Sequence, residues 1–202
     1  VYDIRVQNTG DVPLTNVQVT DDLNATFQGG VATVFSASAA VQTAPATGTL
    51  TINGSYDGVG GDNNLIVAAT STLPVGEFGI LRLTVVVEPN GETGPFNNTA
   101  IASGDDPGGI TVTDESDDNT VVDEDGDNDP TTDDDPTPVT FPEIGVAKNV
   151  FSVTYDGVNN RYTVIYDILV QNTGPVALTN VQVTDDLNAT FQGGVATVFS
   201  AS

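Results

Sequence analysis

The chain has 202 residues, 28 of them acidic and 4 basic, for a formal net charge of −24. That balance disfavours nucleic acid and anionic membranes as partners and favours multivalent cations. Cys, His, Met and Trp are all absent, which removes disulfides and the commonest nucleophiles, general bases and transition-metal ligands; no apolar run reaches the roughly 20 residues of a membrane span.

Apolar and polar residues alternate with period two along most of the chain, in segments rich in Val, Thr, Ile and Tyr. This predicts strands at residues 2–7, 16–20, 32–38, 49–53, 64–70, 80–88, 98–103, 110–114 and 161–171. The stretches NTGD, NATFQGG, YDGVGGDNN, EPNGETGP and YDGVNN separate them as turns. FPEIGVAKNV (Phe141–Val150) reads as the first strand of a further unit, entered through the Pro-punctuated DDDPTPVTFP. No segment carries a helical period. Many short strands at roughly ten-residue spacing predict an all-β fold, an antiparallel β-sandwich of immunoglobulin-like type.

The sequence repeats. LTNVQVTDDLNATFQGGVATVFSAS occupies Leu14–Ser38 and recurs letter for letter at Leu178–Ser202. Upstream, Val1–Pro13 aligns with Ile165–Ala177 at the same offset of 164, with four differences: Val1/Ile165, Arg5/Leu169, Asp11/Pro175 and Pro13/Ala177. Diverged domains would differ throughout, so the pattern predicts a tandem array of near-identical units. The expected organisation is a sandwich over 1–103 whose first strand belongs to the preceding repeat, an acidic linker over 104–141, and the first strands of the next sandwich over 142–202. The chain, which starts without Met and inside a strand pattern, is expected to be cut from a longer one.

GVAKNV, then YDILVQNTG, then LTNVQVTDDL, and a late strand beginning FNNTAIAS together resemble a bacterial surface repeat family, the domain of unknown function numbered eleven. The tail TVTDESDDNTVVDEDGDNDPTTDDDPTPVTF resembles the acidic segments that join such repeats. The resemblance implies an Ig-like or prealbumin-like sandwich in a giant secreted protein of the bacterial cell surface, with no defined catalytic activity. Residues 42–65 lie outside the family's pattern.

Half of the 28 acidic residues fall between Asp105 and Pro136, where there is no Lys or Arg. Asp123, Asp125, Asp127 and Asp129 stand at alternate positions, with Gly126 permitting a sharp turn. Calcium takes six to eight hard oxygen ligands, which carboxylates and loop carbonyls supply. The spacing is not that of an EF-hand and is similar to the Asp-rich loops of thrombospondin-type calcium repeats. A second cluster is Asp105, Asp106, Asp114, Asp117 and Asp118, and a third is Asp57 with Asp62. The competing reading is a solvated spacer extended by its own repulsion; Val121 and Val122 inside the run favour order.

Lys148 is the sole lysine and lies in an apolar strand. Burial disfavours a charged ammonium and would make the amine nucleophilic. In related sandwich architectures such a lysine attacks an Asn side chain, polarised by a protonated carboxyl, and ammonia leaves. The candidate acceptor is Asn98, or else Asn97; the carboxyl is Asp21 or Asp22, repeated as Asp185 or Asp186. Lys148 belongs to the repeat after that of Asn98. The alternative is a lysine that reaches solvent or makes an ion pair.

These readings predict a structural repeat of a long extracellular filament or stalk, rigidified by Ca2+, and not an enzyme. Its partners would be identical repeats joined head to tail, in one polypeptide or through a strand donated between chains. The alternative is a calcium-dependent adhesin repeat that binds polysaccharide or a partner cell surface. Paired carboxylates without a cleft or aromatic platform argue against a glycosidase.

Overall fold

The computed structural model describes residues 1–27, 32–127 and 129–191. The chain divides between Glu143 and Ile144 into two units. The first contains β1 (Tyr2–Gln7), β2 (Leu14–Asp21), a five-residue helix α1 (Leu23–Phe27), β3 (Thr33–Thr43), β4 (Thr72–Leu73), β5 (Phe78–Glu88), β6 (Phe96–Asn98), β7 (Ala100–Asp105), β8 (Thr111–Glu115) and β9 (Thr137–Val139). The second contains β10 (Ile144–Asp156), β11 (Arg161–Asn172) and the short helix α2 (Leu187–Phe191).

The first unit is all-β and antiparallel. One sheet runs β1-β5-β3, the other β4-β2-β7-β8, and β6 pairs with β9. Alternation decides which side chains turn inward: along β2, Val17, Val19 and Asp21 are buried, and along β5, Leu81 and Leu83 are fully buried. The apolar ones, together with Val6, Leu23, Phe27, Leu65, Ile66, Leu73 and Ala100, form one core to which both larger sheets contribute. This is the β-sandwich-like arrangement that the alternation predicts.

The stretches 49–53 and 64–70, read as strands, meet each other only at the single bridge Ile52↔Ile66; Thr49 bridges to Thr72 of β4 and Asn64 to Thr20 of β2, and the second stretch closes in a 3-10 turn at Ala68–Thr70. Their apolar residues Leu50, Leu65 and Ile66 are buried all the same, so the alternation reports burial without a ladder. In the acidic region, β8 pairs with β7 and β9 with β6. Phe141 follows, its N–H bonded to Thr93 O at 2.8 Å and its ring 5.5 Å from that of Phe96, which stands 5.4 Å from Phe27. Both ends of the region expected as linker are thus stitched into the first unit.

In the second unit β10 and β11 form one long hairpin from Ile144↔Asn172 to Asp156↔Arg161, with a bulge at Phe151. Many of its apolar residues stay exposed, including Val146, Phe151, Val153, Tyr162 and Leu169. Residues 178–185 repeat β2 but form no strand. The reason lies in pairing: β2 is held by β4 and β7, and residues 144–202 contain no second copy of either.

Where the copies depend only on nearby residues, they agree. Asn8 Nδ2 donates to Val12 O and Gly10 N–H to Asn8 Oδ1; Asn172, Val176 and Gly174 repeat both bonds. Asn16 and Asn180 share a left-handed backbone, φ 51° and 56°. Asp22 Oδ1 caps α1 through Ala25 N–H at 3.1 Å, and Asp186 caps α2 through Ala189 N–H at 2.9 Å.

Candidate functional site

The last residue of β2, Asp21, and the last residue of β6, Asn98, meet in the core of the first unit at 1% and 3% exposure. Asn98 Nδ2 donates to Asp21 Oδ2 at 2.7 Å. The Thr26 hydroxyl, one turn into α1, donates to Asn98 Oδ1. Asp21 Oδ1 and the Tyr2 hydroxyl are buried with no hydrogen-bond partner. Unpaired polar atoms are costly in a core.

Burial pushes the Asp21 carboxyl up to about 6, with the charge of Asp22 adding to the rise and the Asn98 bond opposing it. Burial and the charge of Asp21 push the Tyr2 phenol up to about 12, and the same two causes raise Tyr56, whose hydroxyl donates to Asp21 O at 3.3 Å. A cleft of about 310 Å3 opens beside these groups, lined in part by Tyr2, Ile4, Val19, Asn98 and Ala100. It follows β1, which pairs with β5 on one side and stands at the edge of its sheet on the other.

In the second unit Lys148 Nζ lies 2.7 Å from Asp185 Oδ2 and 4.1 Å over the ring of Tyr166. The side chains of Lys148 and Asp185 are 31% and 33% exposed. Of the carboxyls left open by the sequence, the structure places Asp21 against Asn98 and Asp185 against Lys148; Asp22 and Asp186 serve as helix caps. Asn97, on the outward side of β6, is exposed.

The acidic region holds a separate constellation. Ligand oxygens of Asp123, Asp125 and Asp127 lie within 4.8 Å of one another. The chain turns tightly there: Gly126 has φ 74°, Gly126 N–H donates to Asp123 Oδ1, and Asp127 N–H to Asp125 Oδ1. Three hard carboxylates on one turn suit a calcium ion, which carbonyls and water would complete. Asp129 instead receives the N–H and hydroxyl of Thr131.

The second predicted cluster is spread out. Asp105 accepts from Thr111 and Asn16, Asp106 from Ile110 N–H, and Asp117 from Asn119 and Asp118 N–H. Asp114 turns one buried, unpartnered oxygen inward; burial, then the charges of Asp134, Asp129 and Asp133, push its carboxyl up to about 6. Asp57 accepts from Val59 N–H and Asp62 from Asn53 Nδ2, as loop fasteners. Among the described residues only the Asp123–Asp125–Asp127 group has a shape fit for a cation, and no helix is long and apolar enough to cross a membrane.

Sequence reasoning left Thr26 and Tyr2 out of the site. Tyr2 carried a usable signal, since it shares the inward side of β1 with Ile4 and Val6. Comparison of the chain with protein-family models, with curated proteins and with solved structures finds no match.

Proposed function

We infer that this chain carries a structural repeat of a long extracellular cell-surface filament or stalk, built from Ig-like β-sandwich beads whose acidic segments are stiffened by calcium. One observation carries the reading: residues 1–38 recur at 165–202 with four differences, and the described parts of the two copies rebuild the same Asn turn and Asp-capped helix. Near-identity between neighbours is what a uniform fibre requires, because equal junctions give equal rotation and rise at every step.

The hairpin β10–β11 supports the same reading. Tyr2 and Ile4 pack against the core of the first unit, whereas Tyr166 and Ile168, their copies, have no sandwich to cover them within residues 144–202. A further repeat would supply it. The Asp123–Asp125–Asp127 turn, between strands that return to the bead, is where calcium would convert a repelling loop into a fixed one. The resemblance to the bacterial repeat family numbered eleven agrees with this placement on the cell surface.

Electron micrographs of tandem copies of residues 1–164 test the proposal. In calcium they should be straight rods of evenly spaced beads, and in EDTA bent or collapsed chains. Rods indifferent to calcium would remove the metal's role, and single compact particles would remove the filament.

A further inference from the structure

We propose that the open edge of β1 is an acceptor for a donated strand, and that the donor is β10 of a second copy of this chain. The proposal goes beyond the structural reading. It needs only that β1 and β11 are copies of one another, and it holds whatever the repeat is used for.

The second unit shows the register. Residues 166–171 of β11 copy residues 2–7 of β1 with one difference, Leu169 for Arg5. β10 holds β11 with Val150 opposite Tyr166, Lys148 opposite Ile168 and Val146 opposite Val170. β1 pairs with β5 and is last in its sheet, so no strand lies along its other edge. A β10 strand laid there in the same register sets Val150, Lys148 and Val146 beside Tyr2, Ile4 and Val6. Those are the residues of β1 that pack on the core, and side chains directly opposite share a face.

There is room for them. The cleft of about 310 Å3 beside β1 is lined by Ile4, Val19 and Ala102, which belong to the core or pack against it, and by Asp114, Asp117 and Asp133. On their own hairpin Val146 and Val150 are 69% and 52% exposed. A two-stranded hairpin is marginal in water, whereas in the cleft both valines leave solvent. Exchange of β10 from β11 to a second copy's β1 therefore gains apolar burial and extends that sheet to β10-β1-β5-β3.

Charge selects the donor. Ile144–Tyr155 carries one lysine and no acidic residue, in a chain with 28 acidic residues. An acidic strand would be repelled by Asp114, Asp117 and Asp133; β10 brings Lys148 to them. Each copy offers one acceptor edge and one donor strand, so exchange joins copies in reciprocal pairs or in longer head-to-tail chains.

The test adds a synthetic peptide of residues 142–157 to the whole 202-residue chain. Calorimetry reads binding, hydrogen exchange locates it, and analytical ultracentrifugation measures particle mass. Alone, the chain should associate as its concentration rises, and excess peptide should return it to monomers. Bound peptide should slow exchange at Tyr2–Gln7 more than at Thr111–Glu115 of β8, which is an edge of the other sheet. Val146→Asp together with Val150→Asp, made in the peptide so that the chain's own fold is untouched, should weaken binding at least about tenfold, since both carboxylates would face the core. A peptide that does not bind overturns the proposal, as does a double variant that binds as tightly. Slower exchange at β8 in place of β1 overturns it too, and so does a chain that stays monomeric at about 1 mM. Rods of covalently joined copies need no exchange between chains, so the filament is judged separately.

Discussion

Asn98 donates its amide hydrogen to Asp21 across the core of the first unit at 2.7 Å, joining the end of β6 to the end of β2 with both side chains buried. A buried carboxylate answered by a neutral amide alone is under-solvated, and the behaviour of the unit with pH follows from that contact.

Asp21 has its folded-state carboxyl raised to about 6 from 3.8. A raised carboxyl binds its proton more tightly in the folded chain, so its contribution is fully present below about pH 4 and is lost as pH rises through about 6. Between those limits the first unit should lose up to about 3 kcal/mol from this group. Asp114, raised to about 6 as well, acts with the same sign. Urea titrations followed by circular dichroism across pH 4–8 measure the loss, and Asp21→Asn, which keeps an acceptor for Asn98, should flatten much of it. An unchanged slope in that variant would assign the pH dependence elsewhere.

Leu83 is fully buried on β5 between strands β1 and β3. Leu83→Ala should lower stability by about 2–5 kcal/mol through lost burial and the cavity left behind. Val158, in the β10–β11 turn and 94% exposed, should tolerate Ala within about 0.5 kcal/mol. Similar costs at the two sites would contradict the core described above.

Gly58 has φ +69°, and a Cβ there would strike the Leu23 side chain and stand 2.9 Å from the Tyr56 hydroxyl. Gly58→Ala therefore meets both the left-handed backbone penalty and a packed neighbour. Destabilisation by about 1–3 kcal/mol is expected; Gly60→Ala, with open space around its Cβ position, should cost only the backbone part. Thermal melts of the two variants separate the contributions.

Calcium should raise the melting temperature of the chain, by an amount that grows with the logarithm of its concentration above the dissociation constant. It should also slow proteolysis between Val121 and Asp135. Asp125→Asn should weaken both effects and leave the melt in EDTA unchanged, since Asp123, Asp125 and Asp127 lie exposed or half-exposed on a turn outside the core. Calorimetry that shows no calcium binding would leave the turn a solvated acidic loop.

Much of this was legible in the residues, and the exceptions have physical causes. Strand β1 was read with its observed bounds because Tyr2, Ile4 and Val6 alternate cleanly against polar neighbours. Helix α1 is five residues long, too short to show a period of 3.6; its only signal is Asp22 placed three before Ala25. Strands β6 and β9 have three residues each, one of them Pro138, and such lengths carry no pattern. The choice between Asp21 and Asp22 was in the sequence all along: Val17 and Val19 turn inward, so Asp21 follows them and Asp22 does not. That Asn98 would face it from β6 is a matter of tertiary pairing, which no local pattern encodes.

The account rests most heavily on each 164-residue step rebuilding the same bead in line with the last. Small-angle scattering from chains of one, two and four joined copies of residues 1–164, in calcium, measures this directly. The maximum dimension should grow in equal increments with every added copy. Growth nearer the cube root of mass, as copies packing into one globule would give, would contradict it.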